Sequence, residues 1–105
     1  MQAVVERWMQ LSIQACMDIA SYLIAELGLR SPDDPENVFA TLGQESIISP
    51  DLARHMTGMV RFRNILVHDY LEIDSAIVYR GLTTELDDFQ RFAREIADRF
   101  LSSEG

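Results

Sequence analysis

DLARHMTGMVRFRNILVHDY, residues 51–70, decides how the rest of the chain is read. Counting from Leu52, one line of positions runs Leu52, Met56, Met59, Arg63, Leu66 and Tyr70. Steps of three and four mark one face of a helix. All of these positions but one are apolar or aromatic. Arg63 sits on the seam, where a charge needs either an ion-pair partner or a chemical task. Its neighbours are groups that handle phosphate, Asn64 offering an amide, His68 a proton carrier and Tyr70 a hydroxyl, and either reading of Arg63 stays open on these residues alone.

The stretch has clear limits. Ser49-Pro50 gives a cap followed by a proline suited to the first helical turn, so this helix begins near Asp51. Upstream, residues 2–27 read as one long helix without glycine or proline, and Gly28 stops it. Glu6, Gln10, Gln14 and Asp18 form a wetter stripe. The remainder is apolar almost all round: Val4, Val5, Trp8, Leu11, Ala15, Ile19, Leu23 and Leu27, flanked by Met9, Ile13, Cys16, Met17 and Ile24. Such a helix is central or covered from two sides. Asp34-Pro35 starts a short helix over 35–43, with Val38, Phe39 and Leu42 inward and Gly43 at its end. Asp74-Ser75 opens a last helix running to about Leu101, its inward face being Val78, Leu82, Leu86, Phe89, Ala93, Ile96 and Phe100. Phe39, Met56, Met59, Phe89 and Phe92 read as core. The expected fold is an all-α, up-down bundle of three long helices and one short one, forming a single domain over 1–105.

Composition narrows the function. The 105 residues carry a net charge of −8, which disfavours general nucleic-acid binding. All nine basic residues are arginine, however, and Arg54, His55, Arg61, Arg63 and His68 form an island with no acid among them. Arg54 and Arg61 are therefore candidate RNA-binding cations, while Arg54 and His55 also read as ordinary solvated surface. The single cysteine, Cys16, has no internal disulfide partner, which fits a reducing compartment such as the cytoplasm. The N-terminus carries no basic lead and reads as helix rather than as a signal peptide. No run of about 18 apolar residues suggests a membrane span. The histidines lie thirteen apart with no paired carboxylates nearby, so no metal cluster is apparent.

Arg63 to Tyr70 resembles the Arg-x4-His-x-Tyr signature of the HEPN superfamily, above all its HepT toxin branch. The flanks resemble it as well: Val5-Glu6-Arg7-Trp8, the Ile13 to Ala20 segment, Met59-Val60-Arg61-Phe62, Asp74, Val78-Tyr79 and the Leu86 to Ile96 run. The resemblance implies a metal-independent endoribonuclease without a cofactor, the toxin of a type VII-like toxin–antitoxin pair. It also implies a homodimer with the two motifs facing across a cleft. The implied antitoxin is a minimal nucleotidyltransferase that silences the toxin by transferring adenylyl groups to Tyr70. Family sequences usually carry a further helix ahead of the Val-Glu-Arg segment, and this chain begins almost on that segment. The apolar excess of the first helix is accordingly expected to be covered by a partner subunit, or the chain is a shortened member.

In that reading Arg63 and His68 are catalytic. RNA cleaves when its 2′-hydroxyl attacks the adjacent phosphate, leaving a cyclic phosphate and a free 5′-hydroxyl. An imidazole can take or deliver the proton, and a guanidinium can hold the phosphate oxygens. Asn64 is a supporting group, and Asp18 is expected to pair with Arg63 and orient it. Tyr70 binds substrate or accepts the silencing group. On a straight helix, positions 63 and 68 lie about 140° apart. The helix therefore loosens around Val67 to Tyr70, the reading preferred here, or the site is assembled between subunits. The alternative function is a non-catalytic helical module that engages a nucleotidyltransferase.

Overall fold

The computed structural model describes the backbone of residues 2–69 and 75–101, and the side chains of residues 4, 7–64, 80 and 83–101. Helix α1 spans Gln2–Glu26, a 3₁₀ turn Pro35–Asn37 leads into α2 at Val38–Gln44, α3 spans Pro50–Asp69 and α4 spans Ser75–Phe100. The architecture is the all-α bundle of three long helices and one short helix, with no strand among the described residues.

The ends follow local chemistry. Gly28 adopts φ 69°, and the Leu29 and Gly28 amides donate to the Ile24 and Ala25 carbonyls at 2.9 and 3.2 Å. This left-handed cap satisfies carbonyls that the helix leaves open. Asp34 accepts from the Glu36 amide at 3.0 Å ahead of Pro35. At α3, the Leu52 amide donates to Ser49 Oγ at 3.2 Å. The Ser49 amide donates in turn to Glu95 Oε1 at 2.7 Å, and Arg91 bonds Asp51, Glu95 and Ser49 Oγ. Two residues of α4 thus clamp the start of α3.

Gly43 does not end α2. It lies inside the helix, and a Cβ there would sit 2.7 Å from Ala53 Cβ, so its missing side chain lets α2 press against α3. Glu45 caps the helix, and the left-handed position after it falls to Ser46, at φ 60°, with the Ile47 amide donating to the Leu42 carbonyl at 2.9 Å.

The core joins Ile13, Met17, Ala20 and Ile24 of α1 to Val38, Phe39 and Leu42 of α2, Leu52, Met56, Met59 and Val60 of α3, and Phe92 of α4. Phe39 meets Phe92 edge-on at 5.7 Å. On α1 the packing tells the two apolar sides apart, and on α4 one expected face is corrected. On α1 the core is the flanking set, whereas Val4, Trp8, Leu11, Ala15 and Ile19 face outward. On α4, Leu86 and Ala93 are exposed while Glu85 and Asp88 are buried. Trp8 packs edge-on against Phe89 at 6.0 Å, a contact consistent with α4 being turned so that the two acids meet α1 and α3. Val78 and Leu82 lie outside the described side chains.

Candidate functional site

Arg63 comes from the fourth turn of α3, on the seam that Leu52, Met56 and Met59 occupy further down. It is half-buried and faces α1. Its Nη1 donates to Gln14 Oε1 at 2.9 Å, and its Nη2 to Asn64 Oδ1 at 3.3 Å. The other end of the Gln14 amide donates to Asp18 Oδ1 at 3.0 Å. The expected Asp18–Arg63 ion pair is therefore replaced by a relay: Asp18 fixes the Gln14 amide, and Gln14 fixes the guanidinium. Sequence reasoning missed Gln14 because a neutral amide gives no charge signal. Its position in the Gln10, Gln14, Asp18 stripe was the available clue.

The relay leaves Arg63 with donors to spare. A guanidinium has five N–H bonds, of which two are committed among the described residues. Arg63 Nε is buried without a partner, an arrangement that costs on the order of 1–3 kcal/mol. Among the described residues, one N–H on each Nη remains for an incoming oxyanion, the forked geometry suited to phosphate.

Helix α3 continues through Val67 and His68 to Asp69. This corrects the expectation of a helix that loosens from Val67 onward. Positions 63 and 68 consequently remain about 140° apart on one continuous helix. The side chain of His68 and all of Tyr70 lie outside the described residues.

The other cations are placed elsewhere. Arg61 projects toward the 3₁₀ turn ahead of α2, and its Nε donates to Glu36 at 2.7 Å. Arg54 pairs with Asp51 at 2.9 Å. Both line an open groove of about 610 Å³ between α2 and α3, together with Asn37, Gln44 and Thr57. His55 is only half-exposed. Its Nδ1 lies 3.2 Å from the buried carboxylate of Asp88, and its Nε2 lies 3.8 Å from Asp51. The basic island is thus interleaved with acids from neighbouring elements, which a linear reading of residues 54–68 does not register.

Beneath this surface lies an acid that helical periodicity places outside the core. Glu85 is 1% exposed, and neither carboxylate oxygen has a partner. Burial, reinforced by the charge of Asp88, pushes its carboxyl up to about 8. Burial and Glu85 also push the Cys16 thiol up to about 11.

Comparison with known proteins places this geometry. The family described as Ribonuclease HepT-like matches residues 1–96. An mRNA nuclease HepT of Shewanella oneidensis is 34% identical over 84 residues, 80% of this chain and 63% of that protein. A tRNA nuclease HepT of Aphanizomenon flos-aquae is 29% identical over 98% of this chain and 70% of its own length. The chain thus spans about two thirds of the curated relatives it matches. Among solved structures, a toxin–antitoxin complex with AMP-PNP superposes with TM-score 0.84 at 33% identity, over 90% of this chain and 72% of that one. Tri-AMPylated Shewanella oneidensis HEPN toxin in complex with MNT antitoxin superposes with TM-score 0.77 at 34% identity, over 84% and 66%. With the signature, the helical bundle and these matches in agreement, the chain belongs to the ribonuclease HepT-like family.

Proposed function

We propose that the protein is a metal-independent endoribonuclease toxin, acting in the cytoplasm as a homodimer and restrained by a minimal nucleotidyltransferase antitoxin. The observation that carries this reading is the half-buried guanidinium of Arg63, held on two sides by Gln14 and Asn64 with donors left over among the described residues. Such a group is built for an oxyanion whose charge grows during reaction. The relatives named as nucleases and the toxin–antitoxin complexes support the same assignment.

The unbroken α3 favours a site shared between two copies. Each copy places positions 63 and 68 on different sides of one helix, and a two-fold axis brings both motifs to one cleft. One His68 takes the proton from the 2′-hydroxyl as its oxygen bonds to phosphorus. The partner's His68 gives a proton to the 5′-oxygen as the P–O5′ bond breaks. The products are a 2′,3′-cyclic phosphate and a 5′-hydroxyl end. Arg63 holds the non-bridging oxygens, and Gln14, fixed by Asp18, keeps Arg63 aimed. Arg61 and Arg54 bind more distant phosphates along the α2–α3 groove. Silencing follows when the Tyr70 hydroxyl attacks the α-phosphorus of ATP on the antitoxin and pyrophosphate leaves.

The test is cleavage of RNA by the purified protein in excess chelator, beside His68→Ala and Arg63→Ala. Cleavage by the native protein alone, leaving cyclic phosphate ends, is the expected result. Cleavage that survives both substitutions defeats the assignment, and no cleavage by any form points to a non-catalytic module that binds the nucleotidyltransferase.

A further inference from the structure

The open groove between α2 and α3 has four polar corners. Gly43 packs on Ala53, and Arg61 reaches Glu36 ahead of α2, so the two helices run antiparallel. Asn37 at the start of α2 is therefore set beside Arg61, and Gln44 at its end beside Arg54. Each end of the groove holds one amide and one guanidinium, with about 10 Å between the two ends. Small residues, Ala40, Gly43 and Ala53, line the space between. Its volume of about 610 Å³ lies within the range of small-ligand sites.

Both amides are uncommitted. Asn37 occupies the cap position of α2, yet its side chain makes no capping bond. Neither it nor the Gln44 side chain has a hydrogen-bond partner among the described residues. The cations are only loosely engaged. Arg61 pairs with Glu36 and Arg54 with Asp51, and Asp51 is also tied to Arg91. Surface pairs of this kind contribute little, so a phosphate oxygen competes for either guanidinium. The same acids keep the groove from holding a polyanion on charge alone.

This groove is continuous with the motif. At about 100° per residue, positions 54, 61 and 68 fall within about 40° of one another on the unbroken α3. A strand laid along that face from position 68 passes Arg61 and then Arg54.

We infer that the α2–α3 groove is a base-reading subsite for single-stranded RNA, which makes cleavage selective for the nucleotides beside the cut. The Asn37 and Gln44 amides each offer a donor and an acceptor to the edge of a base. Arg61 and Arg54 hold the backbone or stack on the bases. Paired bases have those edges occupied, which restricts the subsite to single strands. The lining contains no aromatic or large aliphatic side chain of the kind that anchors a protein helix, and this favours a nucleotide as the occupant. The inference rests on the ribonuclease reading above for its substrate, though not on the chemistry of cleavage.

Fluorescence anisotropy with short labelled RNAs of A, C or U tests it, using the full chain carrying His68→Ala so that binding is read without cutting. Affinities are expected to differ about tenfold between the best and the worst base. Adding Asn37→Ala and Gln44→Ala, both at exposed positions, is expected to shrink that ratio to about twofold with unchanged circular dichroism. Adding Arg61→Ala instead is expected to weaken all three RNAs alike and to lower the salt slope by about one. End mapping of RNA cut by the native chain is expected to show the preferred base enriched beside the cut. Equal affinity for the three RNAs overturns the inference, as does a preference that survives both amide substitutions. So does an amide double variant that keeps its RNA preference but no longer binds the nucleotidyltransferase, which makes the groove a protein-docking face. Selective binding without cleavage by the native chain leaves the subsite standing and refutes the chemistry, and cleavage without base selectivity does the reverse.

Discussion

Glu85→Gln isolates the buried acid from everything else in the fold. The carboxyl is 1% exposed and lacks a partner for either oxygen, and its value rises from 4.5 to about 8. Because the folded value exceeds the unfolded one, the native state holds a proton that the unfolded chain has released throughout that window. The contribution to stability is complete below pH 4.5 and is lost as the pH rises through about 8. The slope is about 1.4 kcal/mol per pH unit, so the cumulative loss by pH 8 is on the order of 4–5 kcal/mol, a large part of a small domain's stability. Glutamine has nearly the same shape and cannot ionise. Its amide carries its own burial cost, so the informative quantity is the slope and not the offset. Urea unfolding followed by circular dichroism from pH 4.5 to 8.5 is expected to show stability falling steeply in the native chain and much less in Glu85→Gln. Parallel profiles for the two proteins would refute the claim that Glu85 is buried and protonated.

Four further outcomes follow from the packing and the site. Gln14→Ala removes the acceptor for Arg63 Nη1, and cleavage is expected to fall on the order of tenfold in kcat, with RNA affinity measured by filter binding little changed. Gly43→Ala places a Cβ 2.7 Å from Ala53 Cβ and is expected to cost about 1–3 kcal/mol in chemical denaturation, with Ala53→Gly restoring part of it. Ser46→Gly relieves a left-handed backbone at φ 60° and is expected to stabilise by about 1 kcal/mol. The Cys16 thiol, raised to about 11, is expected to react with iodoacetamide at pH 8 on the order of a hundredfold more slowly than a free thiol, and at the ordinary rate in urea.

The helices were legible because their ends are marked chemically. Gly28, Asp34-Pro35 and Ser49-Pro50 each start or stop an element where the sequence predicts. Which side of each helix faces inward was less legible. Helix α1 has two apolar sides of similar strength, and periodicity alone does not say which meets the core. On α4 the Leu82, Leu86, Phe89 spacing drew the inward face one position away from Glu85 and Asp88, because an unpaired acid is not expected in a core. Gly43 fits the usual role of glycine at helix ends when only the sequence is considered, whereas close approach to Ala53 explains it. Of the site, Arg63 was legible as a charge on an apolar seam and Asn64 as its neighbour. The distance between Asp18 and Arg63 was not, since only the packing of α1 on α3 shows that Gln14 spans it.

The central claim is that each reactive cleft draws on both copies of the motif, and subunit mixing tests it most directly. Native and His68→Ala chains, co-expressed in equal amounts so that dimers form at random, are assayed for RNA cleavage per total protein. If both copies must supply His68, only fully native dimers act, and the activity falls to about one quarter of that of the native protein. A value near one half would mean that each copy works alone, and would contradict the account.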